Sequence, residues 1–183
     1  MKYRSHLKEI SETKIDWPPG PWHQEPDSKE WVDEETGLSC EIMRGPVGAW
    51  CGYVGVPKEH PAYGLDYNGP DDAYDINPTV KWWRIHVNRR FEYAIYDVRV
   101  HGGLTFAGNR GDEKHWFGFG GDEKHWFGFD CAHAGDFCPR HSKPDMLGMP
   151  TGWGGLVSYR DMDYAINETK SLAKQLAAMR RLK

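Results

Sequence analysis

Apolar positions fall into short runs divided by Gly, Pro, Asn and Asp, and only the last stretch of the chain changes period. Residues 38–43, 49–56, 81–87 and 91–100 are apolar-rich runs, most with turn-forming residues at their ends, which predicts strands of an antiparallel sheet. Within 91–100, Phe91, Tyr93 and Ile95 alternate with Ala94, Tyr96 and Val98, so both faces carry apolar groups. From 159 to 182 there is no Gly or Pro, and Met162, Ala165, Ile166, Thr169, Leu172, Ala173, Leu176 and Met179 recur at helical spacing. That pattern predicts one long helix, with Ser158 and Asp161 as a capping box. The helix reads as core, and no chemistry is assigned to it. The fold class that follows is α+β: a curved antiparallel sheet with one long C-terminal helix packed across it.

Residues 1–37 break the alternation. They are polar and Pro-rich, and Pro18, Pro19 and Pro21 exclude a helix there, so the segment reads as an extended arm pinned by Trp17, Trp22 and Trp31. Residues 38–183 then form a single α+β domain. The span 57–78 is a long internal loop rich in Pro, Gly, Asp and Tyr, of a length more often functional than idle. Residues 111–120 recur as 121–130 with one change, Gly120 against Asp130. Two copies of ten residues are too few for a solenoid. Either Gly120 and Gly121 turn a hairpin between the copies, or one copy is an extruded duplicate, with 121–130 the original element because it runs directly into Cys131.

A length of 183 residues suffices for one core, and 14% aromatic content argues against disorder. Nine Trp exceed what one small core usually needs, so aromatic walls of a pocket are expected. A net charge of -4 disfavours long nucleic acid as a partner. No apolar stretch has the length of a membrane span, and nothing behind Met1 resembles a signal peptide. Cys40, Cys51, Cys131 and Cys138 are accordingly expected as reduced thiols.

Three blocks carry candidate chemistry. Read as a strand, residues 126–133 put Phe127, Phe129, Cys131 and His133 on one face, and Trp126, Gly128 and Asp130 on the other. Gly135 and Asp136 end it, and a His and an Asp at a strand end beside Gly suit a site. A core cysteine and a hydrogen-bonded structural histidine fit the same pattern. His101-Gly102-Gly103-Leu104-Thr105 sets an imidazole against two glycines, whose N–H groups can cradle an oxyanion, and Thr105 adds a hydroxyl. In the third block Gly52 and Gly55 interrupt a strand, implying a bulge or a close approach to the backbone, and His60 opens the long loop as a lid residue. Cys131, His133, Cys138 and His141 also offer four zinc-type ligands, although not at a familiar finger spacing. No P-loop or dinucleotide fingerprint occurs.

The segments Cys51-Gly52-Tyr53-Val54-Gly55-Val56-Pro57 with His60-Pro61, His101 to Thr105, and Trp126 to Asp136 resemble a family of short phage and prophage proteins, as does the helix opening at Tyr159-Arg160-Asp161-Met162. The resemblance spans most of residues 49–178, and the tandem copy at 111–130 departs from it. It implies a counter-defence protein acting on a nucleotide immune signal in the host cytoplasm. Cleavage of a phosphodiester without metal or cofactor is the leading expectation, with His101 and His133 as acid and base. Asp130 or Asp136 would orient an imidazole, and the Gly102 and Gly103 amides would hold phosphoryl oxygens. Tyr53 and Trp126 would stack on a base. The rivals are a sponge that binds the nucleotide without cleaving it, and a structural or host-protein-binding factor. Homo-oligomerisation is left open.

Overall fold

The computed structural model describes residues 2–67, 95, 97–110, 124–152 and 154–179, with side chains from residue 7 onward. The strand expected at 81–87, half of that at 91–100, the far part of the 57–78 loop and the first copy of the repeat lie outside the described residues. The described half of 91–100, residues 95 and 97–100, forms helical, turn and irregular backbone and not the expected strand. Among those described, five strands form one open sheet in the order β1-β2-β3-β5-β4, every pairing antiparallel. They are β1 Ser28–Val32, β2 Ser39–Arg44, β3 Trp50–Val56, β4 Phe106–Gly108 and β5 His125–Asp130. Helix α1 spans Lys2–Thr13 and the long helix α2 spans Met162–Ala178. The architecture is α+β, as the alternation of short runs and one long helical period requires. No described helix is long and apolar enough to cross a membrane.

Side-chain alternation explains the packing. Ile42, Val54, Phe127 and Phe129 join Ala165, Leu172, Ala173 and Leu176 of α2 in one buried cluster. Each large side chain among them contributes roughly 1.5–3 kcal/mol by burial. Gly52 is the close approach that the sequence implies: a Cβ there would stand 2.4 Å from both the Phe129 ring and Thr169 Oγ1. The register through Gly52 and Gly55 is regular, so there is no bulge. Helix α2 begins at Met162, the first residue of its apolar period, and so later than a Ser158 cap would start it. Asp161 is its N-cap and accepts from the Tyr164 amide at 2.8 Å. Ser158 is instead held in an extended bridge to Asp136, its amide donating to the Gly135 carbonyl, so the capping box does not form.

The N-terminal segment is not an extended arm. Its first residues are helical, and Ser28–Val32 is the edge strand of the sheet. A polar strand with solvent on one side carries little apolar signal, and only Trp31 betrays it. The irregular stretch between is pinned as its tryptophans suggest. Trp17 and Trp22 are buried with Ile10 and Phe137 in a second core, where Trp22 stacks on Phe137 with centroids 5.3 Å apart. Glu25 ties this segment to the rest. It accepts from Arg44 of β2 at 2.5 Å, Tyr159 at 2.5 Å, Trp50 at 3.2 Å and the Met162 amide at the start of α2 at 3.1 Å.

Candidate active site

Strand β5 stops at Asp130 and does not run on to His133. The Asp130 carboxylate accepts the Ala132 amide at 3.0 Å, a local bond that bends the chain out of the ladder. Gly135, with φ +95°, turns it back, and the Asp136 amide donates to the His133 carbonyl at 2.9 Å. Cys131 and His133 therefore do not share a strand face. Cys131 sits in the core, 1% exposed, while the His133 side chain is one-third exposed on the loop.

The second half of the site is the turn at His101. Gly102 and Gly103 take φ values of +66° and +89°. The His133 ring lies against Gly102, where a Cβ would stand 2.1 Å from His133 Cε1. The Gly103 amide is used in the turn, donating to the Val100 carbonyl at 2.9 Å, so it is no phosphate donor. Thr105 begins the approach to β4, its amide donating to the Gly128 carbonyl.

Together these segments bring His101, His133 and Asp136 into one cluster, the ligand-type atoms of the three lying within 4.8 Å of one another. His101 Nε2 is 2.7 Å from Asp136 Oδ2, and its Nδ1 is 2.9 Å from the Tyr164 hydroxyl. The His101 amide donates to Glu168 at 2.8 Å. The His133 amide donates to Asp136 Oδ2 at 2.9 Å, and Arg160 Nε donates to Asp136 Oδ1 at 3.0 Å. The Arg160 guanidinium also lies 4.9 Å from the centre of the Tyr164 ring. Burial alone would raise the Asp136 carboxyl, but the bonds from His101, the His133 amide and Arg160 outweigh it and hold it below the usual range. The imidazoles of His101 and His133 are 5.5 Å apart between centroids. His133 Nδ1 is shielded from solvent and has no hydrogen-bond partner among the described residues. It lies 3.7 Å from Asp130 Oδ1 and 3.9 Å from Asp136 Oδ2.

The other expected site residues stand elsewhere. Alternation directs Tyr53 and Trp126 to the sheet face away from α2, where both rings hold Arg110, at 4.2 and 5.5 Å. They are not a stacking platform beside the imidazoles. His60 is no lid residue: its Nε2 donates to the Leu176 carbonyl at 3.0 Å and its Nδ1 accepts the Ala62 amide at 3.1 Å. Burial lowers its pKa and keeps it neutral as a brace at the end of α2. Cys131, Cys138 and His141 do not converge with His133 into a metal-sized group.

Sequence reasoning missed three contributors, Arg160, Tyr164 and Glu168. They stand four residues apart and so line one stripe of α2 and its approach, beside the apolar stripe. That polar i, i+4 series was the available signal. Comparison of this chain with known protein families, characterised proteins and solved structures finds no match.

Proposed function

We propose that the chain hydrolyses a phosphodiester of a small nucleotide at the His101–His133–Asp136 cluster. One observation carries this reading: a partly exposed imidazole, His133, lies against a buried carboxylate that His101 and Arg160 hold in place. The two imidazoles are not equivalent. Both His101 ring nitrogens have internal partners, so His101 positions Asp136, and His133 is the imidazole that meets water and substrate. In the reaction a water oxygen bonds to phosphorus and the ester P–O bond breaks. The water's proton passes to His133, and a proton from solvent neutralises the departing oxygen. Arg160, one-third exposed, supplies positive charge to the phosphoryl oxygens. The resemblance to short phage proteins points to a nucleotide immune signal of the host cell as substrate, and the net charge of -4 favours a small ligand over a long polyanion.

Incubation with cyclic di- and trinucleotides and ADP-ribose derivatives, read by mass spectrometry, tests the reading. The expected result is a product heavier by one water from one member of the panel. His133→Ala should slow turnover by about two to four orders of magnitude while changing affinity little. Recovery of a bound, intact nucleotide would replace hydrolysis with sequestration. No rise in melting temperature with any member would remove nucleotide binding altogether.

A further inference from the structure

We propose that His101, His133 and Asp136 bind one divalent transition-metal ion of the zinc class. Two imidazoles and one carboxylate are a donor set that zinc and its neighbours accept, and three protein ligands leave further positions for water or substrate. The donor atoms already converge, all within 4.8 Å of one another. His101 Nε2 and Asp136 Oδ2, 2.7 Å apart in a hydrogen bond, need separate only by about half an ångström to reach the roughly 3.3 Å of neighbouring tetrahedral ligands when an ion replaces the proton they share. His133 Nδ1 completes the set. It is shielded from solvent, lacks a hydrogen-bond partner among the described residues, and lies 3.9 Å from Asp136 Oδ2.

The outer contacts are those of a ligand set rather than of an isolated His–Asp pair. A metal-ligating histidine donates its other ring N–H to a fixed acceptor, and His101 Nδ1 lies 2.9 Å from the Tyr164 hydroxyl. The ligating carboxylate is itself oriented: Arg160 occupies Asp136 Oδ1 at 3.0 Å and leaves Oδ2 on the imidazole side. Gly102 allows the His133 ring to lie where its nitrogen faces the other two ligands. Binding of the ion does not require the proposed hydrolysis, but the two share His133. Where both hold, His133 would serve as a ligand in place of its role as base, and the ion would supply the activation of water, since coordinated water has a pKa near neutrality.

The test uses the full chain, free of any histidine tag and stripped with a chelator. Calorimetric titration with Zn2+ should show one ion per chain with a dissociation constant of about micromolar or tighter, and a raised melting temperature. Mg2+ should do neither. His133→Ala, on an exposed loop, and Asp136→Asn should each weaken binding at least tenfold, and Tyr164→Phe on the order of tenfold. Cys138→Ala and His141→Ala should leave it unchanged. Circular dichroism shows which variants remain folded, and His133→Ala alone decides the matter if Asp136→Asn does not fold. Absence of Zn2+ binding, or binding indifferent to His133→Ala, overturns the site. So does binding lost in the Cys138 or His141 variant. Zinc held as described by a chain that hydrolyses nothing supports the site and removes the proposed function. Turnover by a chain that binds no zinc does the reverse.

Discussion

Gly102 and His133 are fitted to each other: a Cβ at residue 102 would stand 2.1 Å from His133 Cε1 and 2.3 Å from its Nε2. Gly102→Ala therefore meets two penalties. The left-handed backbone at φ +66° costs a side-chain-bearing residue about 1–2 kcal/mol, and the imidazole must also move. The variant should be destabilised by at least about that amount, with a larger proportional loss of the proposed turnover. Urea titration and the NMR signals of the His133 ring check both halves. An unmoved ring with reduced turnover would place the effect elsewhere.

Glu25→Gln tests the tie between the N-terminal segment and α2. Arg44 is fully buried, and losing its closest carboxylate should cost about 3 kcal/mol. The pH dependence has a defined sign. Burial raises the Glu25 carboxyl, but Tyr159, the Met162 amide, Arg44 and Trp50 together hold it below its ordinary value. A lowered carboxyl contributes its full stability above the unfolded value and loses it as pH falls through the folded one. The gap between wild type and variant, followed by denaturation, should be widest near neutrality and shrink below about pH 4. A gap that widens in acid would contradict the assignment.

All four cysteines are free thiols with raised pKa values. Burial is the chief cause, pushing Cys40 and Cys51 to about 12 and Cys138 to about 11, with Cys131 higher still. Thiolate is the reactive form, so labelling of the folded chain at pH 8 should be slow at every position. Cys138, half-buried, should react first, and Cys131 only on unfolding. Time-resolved mass spectrometry of alkylated peptides gives the order. Cys131→Ala should keep zinc binding and turnover.

Deletion of residues 111–120 should leave a folded chain. The second copy supplies β5, whose ladder with β3 runs from His125 to Asp130. β4 pairs antiparallel with β5 from Gly108 opposite Trp126, and the shortened connection still leaves several residues to close that hairpin. A cooperative thermal transition near that of the full chain is the expected outcome. An unfolded product would show that the first copy is integral to the sheet.

β2, β3 and α2 were legible because each has a dense apolar face at a single period. β1 was not, because an edge strand keeps one side in water and shows only Trp31. At the site, His101, His133 and Asp136 stood out as polar groups beside glycines at strand ends. Their geometry could not be read. The strand period continues through Cys131 to His133, whereas the chain leaves the ladder after Asp130, whose side chain bonds the Ala132 amide. Tyr53 and Trp126 illustrate the opposite error: residues next to a motif in sequence are carried by strand alternation to the other face. Glu25 left no trace at all, since its importance comes from partners brought to it by folding.

The cluster joins parts of the chain that are far apart along it. The bonds from His101 to Asp136 and to Tyr164 span 35 and 63 residues, and the separate tie from Met162 to Glu25 spans 137. β1, β2 and β3, by contrast, pair in order through short connections, and such local contacts close with little loss of chain entropy. During synthesis the three strands leave the ribosome together, long before α2. The meander's own pairing uses only the first part of the chain, whereas the contacts that fix Asp136 and His101 in the candidate site wait for Arg160, Tyr164 and Glu168.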